Sequence, residues 1–351
     1  ASLPEQGKPP MTMQFGIMNR GQYNWGDDMP TRFQELMAQA RHAEALGYDS
    51  FMKGSHFTSK PLHDLNQATY LARVMVECPS LRLIAGIVLM PLHKPLDIAE
   101  QFANIDLMSG GKLIFGVGIG YREVEFQAFG TTTKDAAKRF EENLEAVKRL
   151  WTEEKVTMSG SHFELIDASC PVKPLQQPLP PIWVGANADK AIKRAARVAD
   201  AWFVNPHNRL DTIERQMGVY KQALEDNGKL DLPEDFPMMR EVFVAKSRDE
   251  AMRLAEPYLK AKYDAYHEWG QAKAMPKGDN DLGMMYEDLV KDRFLFGSPE
   301  EISEQIIDII TRFGVNHFVF GVQYPGMPQS MVLDEMQLLA EEVFPAVRSG
   351  V

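Results

Sequence analysis

Residues 81–130 read LRLIAGIVLMPLHKPLDIAEQFANIDLMSGGKLIFGVGIGYREVEFQAFG, and this stretch decides the fold class. Leu81–Met90 is apolar apart from Arg82, as a parallel strand buried on both faces must be. Pro95 then opens a helix, since proline fits a first helical position, and Gly110-Gly111 stops it. Lys112–Gly118 (KLIFGVG) is a second apolar run. Strand, crossover helix and strand make one βαβ unit, the repeating piece of parallel α/β folds.

The same alternation continues on both sides. Upstream, Met13–Met18 (MQFGIM) and Tyr48–Met52 are strand candidates. Between them Asp28–Pro30 opens a helix with Phe33, Leu36, Met37 and Ala40 at helical spacing, and Gly47 ends it. Downstream, a helix carries Phe140, Leu144, Val147 and Trp151, and Lys155–Gln177 breaks the rhythm with a small hairpin, KVTMSG and HFELID. Ile182–Gly185 is the fifth strand, Ala201–Val204 the sixth, Glu241–Ala245 the seventh and His317–Val322 the eighth. Ser298-Pro299-Glu300-Glu301 is a capping box for the helix bearing Ile302, Ile306, Ile309 and Phe313. Eight alternating units predict an α/β fold, a (β/α)8 TIM barrel with insertions, as a single domain over 1–351. Pro257–Phe296 is the largest insertion, rich in Lys, Asp, Gly and Met. A doubly wound sheet is the structural alternative. Gly116, Gly118 and Gly120 form GxGxG, but Glu123 occupies the last glycine position of a dinucleotide fingerprint.

Composition narrows the function classes. The 351 residues include 38 Lys+Arg and 49 Asp+Glu, a formal charge of −11, which opposes nucleic-acid binding. A 44% hydrophobic and 25% charged content is that of a globular protein. The two cysteines, Cys78 and Cys170, form no CxxC pattern, which fits a reducing compartment. No apolar run approaches the roughly 20 residues of a membrane helix, and ASLPEQGKPP has no signal-peptide core. A soluble, cytoplasmic enzyme or ligand binder is expected, with no membrane partner.

Barrel active sites lie where the strands end. Asn19 and Arg20 follow the first strand, Ser55 and His56 the second, Gly118–Glu125 the fourth, Ala186–Lys190 the fifth, Asn205–His207 the sixth and Gln323–Met327 the eighth. The eight histidines form no HxH or HExxH pattern, so no metal site is expected, and no GxSxG elbow exists. What remains is glycine-rich, amide-rich and weakly basic, which suits an anionic cofactor. Trp25, Tyr324, Met327 and the Met284-Met285-Tyr286 run are candidates for an apolar substrate pocket.

Leu81–Gly130 resembles the luciferase-like flavin monooxygenase family. In that family a strand is followed by a proline, a helix carrying Asp, a Ser-Gly-Gly stop, and GvGxG with downstream Glu-Phe and Phe-Gly. AEALGYDSF (Ala43–Phe51), SHF (Ser55–Phe57), QQPLPPIWVGANADKAIKRAARVADAWF (Gln176–Phe203) and FGSPEEISEQI (Phe296–Ile306) support it, in the family's order. The resemblance implies a (β/α)8 barrel, usually dimeric, that binds reduced FMN or the deazaflavin F420. Ala85-Gly86-Ile87 stands where the family often has a non-prolyl cis peptide against the ring. Lys190, near a helix N-terminus, is expected to hold the phosphate with Asn187 and the close backbone of Gly185-Ala186. Arg122 is a second cation, and Asn19 and Gly118 complete the expected cofactor contacts.

His56 is the expected acid–base residue, since an imidazole gives and takes protons near neutrality. Ser55 stands where luciferase-type members have the first His of EHH, and Tyr121 where sugar-phosphate deazaflavin dehydrogenases carry a catalytic Glu. Three functions follow. The first is an FMN-dependent monooxygenase fed by a partner flavin reductase, using O2 on a small organic substrate, with Ser55 or Tyr121 assisting His56. The second is an F420-dependent hydride-transfer enzyme, and the third a non-catalytic flavin-binding protein. A homodimer is expected from the resemblance, and 257–296 reads as a lid with Gly270, Gly278 and Gly283 as hinges.

Overall fold

A computed structural model of the chain describes residues 12–351. The leading ASLPEQGKPP lies outside the described residues. Nine strands form one parallel sheet: β1 (Gln14–Met18), β2 (Ser50–Lys53), β3 (Arg82–Leu89), β4 (Leu113–Gly118), β5 (Ile182–Gly185), β6 (Ala201–Phe203), β7 (Pro237–Val244), β8 (Leu295–Gly297) and β9 (His317–Gly321). Their order is β6-β5-β4-β3-β2-β1-β9-β7-β8. Every residue of β4 and of β7 is buried; β4 reads as an apolar run, whereas β7 buries Arg240 and Glu241 and begins at Pro237, four residues before the expected Glu241 start. The sheet curls. Beyond the end of β6, Val204 makes a parallel bridge to Met238 of β7, with Val204 N–H donating to Pro237 O at 3.1 Å and Met239 N–H to Val204 O at 3.0 Å.

The sequence reading has eight strands, and among the described residues the sheet has nine. The extra one, β8, is only three residues long and pairs with β7 from inside the stretch read as an insertion. That stretch also begins later than expected. Pro257 lies within the helix Arg248–Glu268, because Ser247 caps its start and Leu259, Tyr263 and Tyr266 are buried on one side of it. The irregular part runs over residues 269–294, holding a 3-10 turn (Gln271–Ala274) and a short helix (Tyr286–Val290). The hairpin expected in Lys155–Gln177 is present, with Val156–Ser159 antiparallel to Glu164–Ala168. The capping box is also formed. Ser298 N–H donates to Glu301 Oε2 at 2.8 Å and Glu301 N–H to Ser298 Oγ at 3.2 Å, and Gly314 closes that helix in the left-handed region.

Candidate active site

The C-terminal ends of the strands enclose a cavity of about 350 Å³. One wall is floored by Gly86 of β3, Gly118 of β4 and Gly185 of β5, three adjacent strands. A Cβ at Gly118 would lie 2.0 Å from Ile87 Cδ1, and one at Gly86 2.8 Å from Met52 Sδ. Ile87 packs against Gly118 and Gly185 and Met52 against Gly86, and both side chains line the cavity, so the three glycines make room for a thin apolar layer at the floor. The Gly86–Ile87 peptide is cis, as the resemblance implies. Ala85 is wholly buried and backs the floor, with its carbonyl 2.3 Å from where a Gly116 Cβ would stand.

At the β5 end of this floor Ala186, Asn187, Ala188, Ala191 and Arg194 line the cavity. Gln216 Nε2 donates to Asn187 O at 2.6 Å, and Asn205 hydrogen-bonds the Asn187 side chain. Lys190 does not line the cavity. It is exposed and borders a shallow surface groove with Lys193, Arg194 and Arg197. Lys190 and Arg194, four residues apart, share one face of the helix Asp189–Val198 and both border that groove, but of the two only Arg194 also lines the cavity. The cation of this turn is therefore Arg194, whose Nε donates to Glu141 Oε1 at 2.7 Å. Asp189, at the helix start, is matched by Arg215 at 2.9 Å.

Arg122 also departs from expectation. Its Nη1 donates to Phe57 O at 2.7 Å and Glu125 Oε1 at 3.0 Å, and its Nη2 to Thr58 O at 3.1 Å. It is buried, does not line the cavity, and stacks on Trp269 at 4.3 Å. Arg122 is thus a bracket for the loop that presents His56. Glu125, which sequence reasoning did not single out, completes the bracket. It accepts Phe57 N–H at 2.9 Å and lies 3.4 Å from His56 Nδ1, which leaves Nε2 for the cavity. Burial alone would raise the Glu125 carboxyl; hydrogen bonds from His56 and Phe57 and the Arg122 charge hold it below its usual range. Ser55 and Tyr121 line the cavity beside His56. The Tyr121 hydroxyl is buried without a protein partner, and burial pushes its phenol well above the usual range.

The cavity wall also carries Arg20, Gln22, Asp64, His207 and Tyr266, with the Tyr266 ring 6.0 Å from His56. Arg20 donates through Nη1 to Glu241 Oε2 at 3.0 Å and through Nη2 to Glu241 Oε1, and Lys262 joins the same carboxylate. Burial, then the charge on Arg20, brings the Lys262 ammonium down to about 7. Asp64 is paired with the buried Lys53 at 2.5 Å.

Four other expected residues lie elsewhere. Asn19 is buried between Gln39 and Tyr70, to which it hydrogen-bonds at 3.1 Å each. Trp25 is 59% exposed and stacks on His63. Tyr324 is an interior strut whose single hydroxyl hydrogen is shared between Gly321 O at 2.6 Å and Val242 O at 2.8 Å. Met327 is buried in the core, and the Met284-Met285-Tyr286 run stays off the cavity wall, with Met285 exposed.

Ser50, His317 and Asp235 are hydrogen-bonded in series at 2.7 Å each, but at the other end of the sheet. Ser50 is wholly buried there, with its Oγ 2.1 Å from a Gly16 Cβ position, so no substrate reaches it. Among the described residues no group of His, Cys, Asp and Glu could hold a metal ion, and no helix is long and apolar enough to cross a membrane.

A floor of three strand-end glycines packed by Ile87 and Met52, a helix start with Arg194, and an imidazole held by a buried carboxylate meet in one cavity on a curled parallel α/β sheet. The chain belongs to the luciferase-like monooxygenase family, whose model matches residues 13–317. It is 28% identical over 331 residues to an FMNH(2)-dependent dimethylsulfone monooxygenase of Pseudomonas putida, covering 88% of this chain and 86% of that one. It is also 28% identical over 331 residues to an F420-dependent glucose-6-phosphate dehydrogenase of Amycolatopsis mediterranei, covering 90% and 95%. The crystal structure of the monooxygenase RslO1 from Streptomyces bottropensis is similar with a TM-score of 0.81 and 26% identity, over 95% of this chain and 99% of that one.

Proposed function

We propose that this protein is a flavin-dependent monooxygenase that takes reduced FMN from a partner reductase and uses O2 on a small organic substrate. The observation that carries the reading is the glycine floor of Gly86, Gly118 and Gly185 running into the Asn187–Arg194 turn: a flat slot joined to an anion site. Reduced FMN would supply two electrons and the activation of O2, with one oxygen atom entering the substrate and the other leaving as water. This chain's residues do the rest. The floor holds the ring, and Arg194, Asn187 and the free N–H groups of the helix start hold the phosphate. His56 Nε2 moves a proton at the reacting centre while Glu125 fixes the ring through Nδ1. Tyr121 and Ser55 stand by as further hydroxyl donors. Trp269, 4.9 Å from the His56 ring, and Tyr266 shield this end from water, the role expected of a lid.

Ser55-His56 in place of the luciferase-type pair supports a second reading, F420-dependent hydride transfer on the same floor. Titration with FMN and with F420 separately, followed by reductase-coupled oxygen uptake over a substrate panel, decides between them. FMN binding with coupled oxygen uptake is expected. F420 binding alone would replace the reading, and flavin binding without turnover on any substrate would favour a carrier.

The Val204–Met238 bridge supports a closed eight-stranded barrel of β1–β7 and β9, with β8 as an added strand. A cytoplasmic homodimer is part of the same proposal. Sedimentation at micromolar concentration should show a species of twice the 39.7 kDa chain mass.

A further inference from the structure

We propose that the substrate carries a compact oxyanion, a carboxylate or a sulfonate, received by Arg20 on the wall facing the phosphate turn. The inference rests on the flavin-oxygenase reading of the cavity and names the substrate class for it.

Placement comes first. Arg20 follows β1 and Arg194 follows β5, four strands away along the curled sheet. The flavin floor takes up β3, β4 and β5. The β1 wall is left for the substrate, with His56, after β2, between the two. Next comes valence. Arg20 spends its two Nη groups on Glu241, and its Nε–H has no partner among the described residues. A guanidinium whose plane is fixed by a buried carboxylate is preorganised for a second oxyanion.

The charge count points the same way. Arg20, Arg240 and Arg293 are buried guanidiniums, joined by the partly charged Lys262, and among the described residues their buried carboxylate partners are two, Glu241 and Asp279. Arg240, behind the cavity wall, has two buried nitrogens, Nε and Nη2, with no hydrogen-bond partner, so it adds to the local positive field and does not itself reach a ligand. Asp64 does not offset this excess, because Lys53 already neutralises it. Glu241 is shared by Arg20 and by Lys262, whose ammonium, brought down to about 7, carries only part of a charge near neutrality. His207, on the same wall, registers the excess: burial first, then Lys262, Arg20, Arg293 and Arg240, hold its imidazole well below the usual range. Uncompensated buried charge is costly unless an anion completes it.

Calorimetry on the FMN-saturated full chain tests this, since bound FMN blocks the Arg194 turn. The probes are propionate, propane-1-sulfonate and the neutral isostere propionamide. One or both anions should bind about 10- to 100-fold more tightly than the amide. Arg20→Gln should abolish that preference, and Arg20→Lys should restore part of it. If Arg20→Gln does not fold, the wild-type melting temperature still reports: the anions should raise it and propionamide should not. Equal affinity for anions and amide, or undiminished anion binding by Arg20→Gln, overturns the proposal while leaving the flavin reading intact. Failure of FMN to bind sinks that reading instead. The three probes on Arg194→Gln protein then test the Arg20 site alone.

Discussion

Arg194→Gln should weaken FMN binding far more than Lys190→Gln, although Lys190 stands closer to the helix start. Arg194 lines the cavity, and its side chain is only 15% exposed. Glu141, 38% exposed, holds the guanidinium in place without burying a competing charge beside it. A charge-assisted contact between that guanidinium and a phosphate contributes about 1.5–3 kcal/mol, so its loss should raise Kd roughly 10- to 100-fold. The N–H groups of the helix start and Asn187 remain and keep binding measurable. Lys190 is exposed, and its charge is screened by water and salt, so its loss should cost less than about threefold. FMN fluorescence quenching, titrated at about 0.02 M and 0.5 M salt, provides the assay. The deficit of Arg194→Gln should shrink at high salt but persist, because the contact is partly enclosed. Wild-type affinity in Arg194→Gln at low salt, or a larger loss in Lys190→Gln, would refute the assignment.

Two glycines should separate stability from binding. Gly116→Ala would set a Cβ 2.3 Å from the Ala85 carbonyl, a backbone atom, and should cost about 1–3 kcal/mol in denaturant unfolding. Gly118→Ala meets the movable tip of Ile87 and should instead displace that side chain into the slot, lowering FMN affinity with a smaller change in melting temperature. Glu335 gives a pH signature: burial pushes its carboxyl up to about 8 from 4.5, while Val244 N–H donates to it at 2.6 Å. Between those values the unfolded chain ionises and the folded one stays protonated, so stability falls as pH rises, by roughly 3–5 kcal/mol in all. Glu335→Gln should remove that slope, and a stability difference from wild type that does not change between pH 5 and 9 would contradict it. Backbone amides of Gly270–Gly283 should exchange more slowly once FMN is bound, since Gln271 and Ala274 line the cavity; equal exchange in both states would argue against a lid.

The strand–helix alternation was legible because a strand buried on both faces has few polar choices. β3, β4 and β5 announce themselves as apolar runs, and each ends in or contains the glycine that the floor requires. His56 could be found because strand ends are where such folds place chemistry. Glu125 was within reach of the same argument, but its role needs Phe57 N–H and His56 in three dimensions.

Only the tertiary structure decided the rest. Lys190 and Arg194 are one helical turn apart on the same face, and sequence does not state which turn meets the cavity. Arg122 looked free as a linear neighbour of the fourth strand; the fold gives it two backbone carbonyls and Glu125. Tyr324 and Met327 are aromatic and apolar wherever they lie, so composition could not distinguish a pocket wall from the core. Arg20 and Glu241 are 221 residues apart in sequence, and their pairing exists only because β1 and β7 both border β9. Periodicity reports which local face is apolar. Contacts between side chains distant in sequence are set by the register and curl of the sheet, and these place the charges around the cavity.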